Sequence, residues 1–160
     1  MARRYGRAEG GARVSDDAPV NRPSVTTVEA AMGPGGPVAA RTWAGGTTRE
    51  RFLAYVRDAL APALRAGDVV VMDNLSAHRA QGVREAVEAR GAKVVYLPPY
   101  SPDLSPIEKM WSKVKALLRG LRARDPGALP GAVAWALSKV TPSDCEGWFR
   151  SCGYAVRGAT

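Results

Sequence analysis

Val69-Val70-Val71-Met72-Asp73-Asn74 reads as an apolar strand that ends in a carboxylate. A second stretch, Leu97-Pro98-Pro99-Tyr100-Ser101-Pro102-Asp103-Leu104-Ser105-Pro106-Ile107-Glu108, reads as a proline-punctuated turn opening a helix that carries an acid in its first turn. Residues 74 to 107, an interval of 34, separate Asp73 from Glu108. A strand-end Asp and a helix-start Glu brought together offer carboxylate oxygens, the donors that hard divalent cations take. The unbroken apolar run before Asp73 predicts a strand buried on both faces of a parallel sheet. In open α/β sheets, sites form beyond the carboxyl ends of the strands, where Asp73 falls.

Each acid also has a structural reading. Asp-Asn after a strand makes a good turn, and Asp can cap a following helix. A phosphatase-type nucleophile is conceivable at Asp73, but such sites want a second Asp two residues on, where this chain has Leu75. Ser105-Pro106-Ile107-Glu108 matches a capping box, with Ser105 at the N-cap, Pro106 at N1 and Glu108 at N3. The capping and ligand roles of Glu108 conflict only if its carboxylate folds back onto its own backbone.

Around this pair the chain alternates. Ser24 to Met32, the turn Gly33-Pro34-Gly35-Gly36 and Pro37 to Trp43 predict an antiparallel hairpin. Thr47 or Thr48 caps a helix with Phe52, Leu53, Val56, Leu60 and Leu64 at helical spacing, which Pro62 should end or kink. Ala77 to Arg90 predicts a second helix and Lys93 to Leu97 a strand parallel to the first. Ser105 to about Leu121 carries the stripe Ile107, Met110, Trp111, Val114, Leu117, Leu118 and Leu121. Two shorter helices follow, over Leu129 to Val140 and Ser143 to Tyr154. The class is α/β, one domain over residues 24–154, preceded by an irregular basic segment (1–23) and followed by a short tail (155–160).

The 160 residues hold 23 Lys plus Arg against 15 Asp plus Glu, a formal net charge of +8. That excess makes a polyanion a natural partner, through release of counterions from its phosphates. Lys109, Lys113, Lys115 and Arg119, with Ser112, Arg122 and Arg124, form a polar, basic stripe behind Glu108. It reads either as a solvated helix face or as a track for a phosphate backbone. His78 is the single histidine, which argues against a transition-metal site and leaves it a supporting role or a solvent-facing one. Asn74, beside Asp73, is placed to orient a water or a phosphate oxygen. Cys145 and Cys152 lack paired ligand spacing and read as buried or incidental thiols. No apolar run reaches the roughly 18 residues of a membrane span and no signal peptide is visible, so the expected setting is the cytoplasm, on the nucleoid.

The motifs V-V-M-D-N-L-S-A-H and G-A-K-V-V-Y-L-P-P-Y-S-P-D-L-S-P-I-E-K-M-W-S-K-V-K resemble the catalytic domain of mariner-like DDE transposases, in the bacterial insertion-sequence branch. The resemblance spans roughly Tyr5 to Tyr154, and the Tyr100 to Lys115 motif is highly specific. It implies a ribonuclease H-like fold, a mixed sheet flanked by helices, in which two Asp and one Glu hold two Mg²⁺ (or Mn²⁺) ions. It implies hydrolysis of DNA at the element's ends and strand transfer into target DNA. Asp73 carries over as the second acid and Glu108 as the third. Ser105 stands where an Asn is common.

In the family the first Asp ends a strand ahead of the segment matched here by Tyr5-Gly6-Arg7. Asp16 and Asp17 fall too late in a polar loop. The expectation is therefore a chain lacking the first strand, its first Asp and the helix-turn-helix region. Such a chain would be poorly stable and weakly active alone, needing an upstream fragment or a homodimer partner. The rival expectations are a catalytically inactive remnant that binds DNA or the intact transposase, and an unrelated phosphotransfer domain that needs Asp73 but not Glu108.

Overall fold

A computed structural model describes residues 25–121 and 127–156. The irregular basic segment with Tyr5-Gly6-Arg7, Asp16 and Asp17, the residues Arg122 and Arg124 and the end of the tail lie outside the described residues.

The β-branched stretch forms β1 (Thr26–Gly33), which turns at Pro34-Gly35 into the antiparallel β2 (Gly36–Ala44). The pairing shifts register between Glu29 and Ala31, a bulge that coincides with the left-handed backbone of Ala39 (φ 53°). The second pair, β3 (Val69–Met72) and β4 (Lys93–Tyr96), is parallel in the register Val69↔Lys93 to Met72↔Tyr96.

Three helical pieces join the pairs. Thr48 caps α1 (Arg49–Tyr55) by accepting from the Arg51 amide. The helix then widens into a π-helical stretch, Val56–Leu60, before α2 (Ala61–Ala63). Pro62 has no N–H and its ring would press on the carbonyl one turn back, so the widened turn is where the expected kink is absorbed. Between β3 and β4 the helix α3 covers only Val83–Glu88. The longer helix expected from Ala77 fails because Gly82 sits at φ 91°, leaving residues 75–82 as successive turns closed on Leu75 and Ala77 carbonyls.

After the 3₁₀ turn Pro102–Leu104 come α4 (Pro106–Leu121), α5 (Leu129–Ser138) and α6 (Pro142–Ser151). The apolar stripe of α4 is inward at Met110 and Val114 and half-buried at Ile107, Trp111, Leu117 and Leu118. Leu121, expected in that stripe, is exposed.

The side chains divide between two cores. Phe52, Tyr55, Val56, Leu60, Met72, Val83, Val87 and Val94 form one, under the strand pair. Met110, Val114, Val133, Ala136, Leu137, Val140 and Cys145 form the other, among the last three helices. The hairpin lies between them, with Ala31, Ala39 and Trp43 toward the first and Val28, Ala30 and Met32 toward the second.

Two expectations are corrected. Among the described residues the strands form two separate two-stranded sheets, not one mixed sheet, so each strand keeps an unpaired edge. β3 is buried on one face only. Val69, Val71 and Val95 are 57%, 38% and 47% exposed, because only the Met72 and Val94 side of the pair meets a core. The sequence reading took an all-apolar strand to mean two covered faces.

Candidate active site

β3 delivers Asp73 to solvent at its carboxyl end, immediately before the turns of residues 75–82. Asp73 does make the local turn its residue type favours: its Oδ1 accepts from the Leu75 amide at 3.1 Å. The same oxygen lies 2.5 Å from His78 Nδ1. That line departs from the ring N–H direction, so it is a close polar contact rather than an aligned hydrogen bond, and Nδ1 has no other partner among the described residues. With Oδ1 engaged twice, Oδ2 is the oxygen left for a ligand.

His78 is held from three sides. Its ring stacks on Phe52 at 4.3 Å between centroids, and its carbonyl accepts from the Tyr96 hydroxyl at 3.0 Å. Its third contact is Asp73. Neither Phe52 nor Tyr96 stood out in the sequence, since each reads simply as an apolar position of a helix or a strand. Glu29 was also missed. It sits half-buried on β1, where burial raises its carboxyl above the ordinary range, against the Thr47 hydroxyl (2.8 Å) and the charge of His78, which lower it. Burial likewise pushes the Tyr55 phenol up, with Glu29 adding to the effect. Glu29 Oε2, Trp43 Nε1 and Tyr55 Oη are buried without hydrogen-bond partners among the described residues.

Glu108 is exposed in the first turn of α4. The capping box expected there does not close. The Ser105 amide donates to the Pro102 carbonyl (3.1 Å), and the Glu108 amide to the Ser105 carbonyl (3.2 Å). The Glu108 carboxylate makes no ion pair or hydrogen bond among the described residues. The box forms instead at α6, where Thr141 and Asp144 exchange side-chain and backbone bonds. The signal for it, Thr at the N-cap with an acid three residues on, was in the sequence all along.

Asp73 and Glu108 are not joined by any hydrogen bond or ion pair, and they ride on elements packed into different cores. No group of three or more His, Cys, Asp or Glu able to hold a metal ion occurs among the described residues. The donor chemistry nonetheless fits a hard divalent cation: two exposed carboxylates, one oriented through a single oxygen and one unpartnered. Asn74 is exposed beside Asp73. On α4, Lys109, Lys115 and Arg119 are exposed, whereas Lys113 is half-buried and bound to Asp144 at 2.5 Å. That ammonium, with the Thr141 amide and hydroxyl, holds the Asp144 carboxyl down to about 2.

Known proteins resemble part of this sequence. The Tc1 transposable element transposase of Caenorhabditis elegans is 29% identical over 102 residues, which are 57% of this chain and 37% of the relative. The Tcb1 transposase of Caenorhabditis briggsae is 27% identical over 100 residues, 56% of this chain and 37% of the relative. This chain thus spans well under half the length of these curated relatives. Among solved structures, the crystal structure of the Mos1 strand transfer complex aligns with 97% of this chain and 51% of that one, at a TM-score of 0.46 and 21% identity. Residues 1–129 match the family described as DDE superfamily endonuclease, and with most of its length matched the chain belongs to that family.

Proposed function

We propose that residues 24–154 form the catalytic part of a Tc1/mariner-type transposase with a ribonuclease H-like plan, in the insertion-sequence branch whose proline-turn motif Tyr100 to Lys115 it resembles. The reaction is hydrolysis of DNA at the element's ends, followed by in-line transfer of the freed 3′ end to target DNA. The observation that carries this reading is the placement of Asp73, at the carboxyl end of β3 with one oxygen braced and the other free. Asp73 and Glu108 would hold the divalent ions, Mg²⁺ or Mn²⁺, whose chemistry is to activate water and to stabilise the attacking and leaving oxygens. The resemblance assigns one further carboxylate to a strand upstream of Tyr5.

The chain's own side chains supply the rest. His78 braces Asp73, and Asn74 orients a water or a phosphate oxygen. Lys109, Lys115 and Arg119 track the phosphate backbone. Lys113 joins them only where it keeps a proton donor free beyond its Asp144 contact. In an assembly that includes the upstream segment, divalent-dependent nicking of a plasmid is expected, with Asp73→Asn or Glu108→Gln abolishing it while DNA binding persists. Loss through Asp73→Asn alone would point to the phosphotransfer reading.

The open valine face and the sheet edges left unpaired among the described residues favour a second reading, an inactive remnant that binds DNA or a partner transposase. Salt-sensitive DNA binding without nicking in any assembly, indifferent to both substitutions, would establish it. Among the described residues no helix is long and apolar enough to cross a membrane.

A further inference from the structure

An open cleft of about 520 Å³ lies beside the turns that follow Asp73, lined by Arg49, Glu50 and Leu53 of α1 and by Ser76, Arg79, Ala80 and Gln81. Its volume falls within the roughly 300–1,000 Å³ of ordinary ligand clefts. Its chemistry is mixed in a particular way. Two guanidinium groups, a hydroxyl and an amide stand around a small apolar floor of Leu53 and Ala80. Neither Arg49 nor Arg79 makes an ion pair among the described residues. Glu50 shares the mouth, and its carboxyl is lowered first by its own backbone amide, then by Thr48 and by the neighbouring charge of Arg49, so it remains charged and the lining is net positive by one.

Arg79 is also prepositioned. Its guanidinium lies 5.7 Å from the centre of the Tyr96 ring, whose hydroxyl is fixed on the His78 carbonyl. The Asp73–His78 contact and the Arg79 wall of the cleft therefore belong to one braced run of turns. His78 points to Asp73 and Phe52, while Ser76, Arg79 and Gln81 line the opening.

We infer that this cleft, rather than the α4 stripe alone, binds the DNA strand that runs to Asp73, with Arg49 and Arg79 on its phosphodiesters. Planar guanidinium groups match phosphate oxygens with paired donors, and the apolar floor takes the sugar face that a free anion would leave uncovered. The inference rests on the transposase reading and adds to it the path of the substrate strand.

The test measures binding of a fluorescent DNA duplex to the full chain over a range of salt, since each phosphate contact contributes about one to the slope of log affinity against log salt. The proteins are wild type, Arg49→Gln with Arg79→Gln, the charge-keeping pair Arg49→Lys with Arg79→Lys, and Lys115→Gln with Arg119→Gln. The Gln pair in the cleft is expected to lower the slope by roughly one to two, and the Lys pair to keep it. Mn²⁺ binding, followed in the same samples without DNA, should be unchanged by both cleft pairs. A cleft Gln pair with wild-type affinity and slope, alongside a reduced slope for the α4 pair, would overturn the inference and leave the transposase reading standing. Absence of salt-sensitive binding in the wild type would overturn both. Should the Gln pair fold poorly by circular dichroism, the slope is read from Arg49→Gln alone, which has no contact with Tyr96 to lose. An unchanged slope there counts against the cleft.

Discussion

At the scale of single residues, the metal role proposed for Asp73 leans on its contact with His78. A ligating carboxylate works through the groups that orient it, and loss of such a group commonly weakens metal binding by roughly 10–100-fold. His78→Ala is expected to weaken Mn²⁺ binding within that range, and His78→Asn, which keeps a nitrogen near the Nδ1 position, to recover part of it. Titration followed by the paramagnetic signal of free Mn²⁺ checks this. Equal affinity in His78→Ala would leave the ring a packing role against Phe52. Deep in the second core, Met110 is fully buried, and Met110→Ala is expected to cost about 2–5 kcal/mol in denaturant unfolding. The acids were legible as candidates, Asp73 because a carboxylate after four apolar residues needs a reason and Glu108 because it opens a helix behind a proline turn. Their braces were not. Phe52 and Tyr96 act on His78 across the fold, and no local pattern distinguishes an aromatic that packs on an imidazole from one that merely packs.

At the scale of elements, legibility followed periodicity. α4 was readable along its length from its stripe, and the hairpin from its turn cluster. α3 was overread because a helical pattern of apolar residues continued through Gly82, where the backbone is left-handed. A Cβ there would meet Leu53 at 3.3 Å and Arg57 at 3.2 Å. Gly82→Ala is therefore expected to destabilise by about 1–2 kcal/mol, read by thermal or urea unfolding. The join between α4 and α6 should show itself in acid. A carboxyl held below its ordinary value of 3.8 contributes stability that is complete above that value and lost as the pH falls through about 2. Wild type is expected to be more stable than Asp144→Asn at mildly acidic pH, with the two curves converging as the pH approaches 2. Parallel curves across that window would remove the Lys113–Asp144 pair from the account.

At the scale of the whole molecule, the described residues show two small sheets with unpaired edges and a face of exposed valines, surface that a partner could cover. The expected behaviour is a broad melt and concentration-dependent association in sedimentation. Replacing Val71 and Val95 with Thr should reduce that association while moving unfolding by only about 0.5 kcal/mol per site. A cooperative, metal-sharpened melt of a monomer would count against this picture. The fold class was legible because strand, helix and strand alternate. What covers each face of β3 was not, since a one-dimensional pattern records which residues are apolar and not what stands opposite them. One tie bears on how such a chain is handled and how it changes over generations. The Tyr154 hydroxyl donates to the Leu104 carbonyl at 2.8 Å, across 50 residues of sequence, and so moors the proline turn that aims Glu108. A protease cut, a premature stop or an expression boundary just past Ser151 would spare every acid and every arginine named above. It would still cast that turn loose, so the far end of the chain is a place where the proposed activity would drift without any change at the residues proposed to perform it.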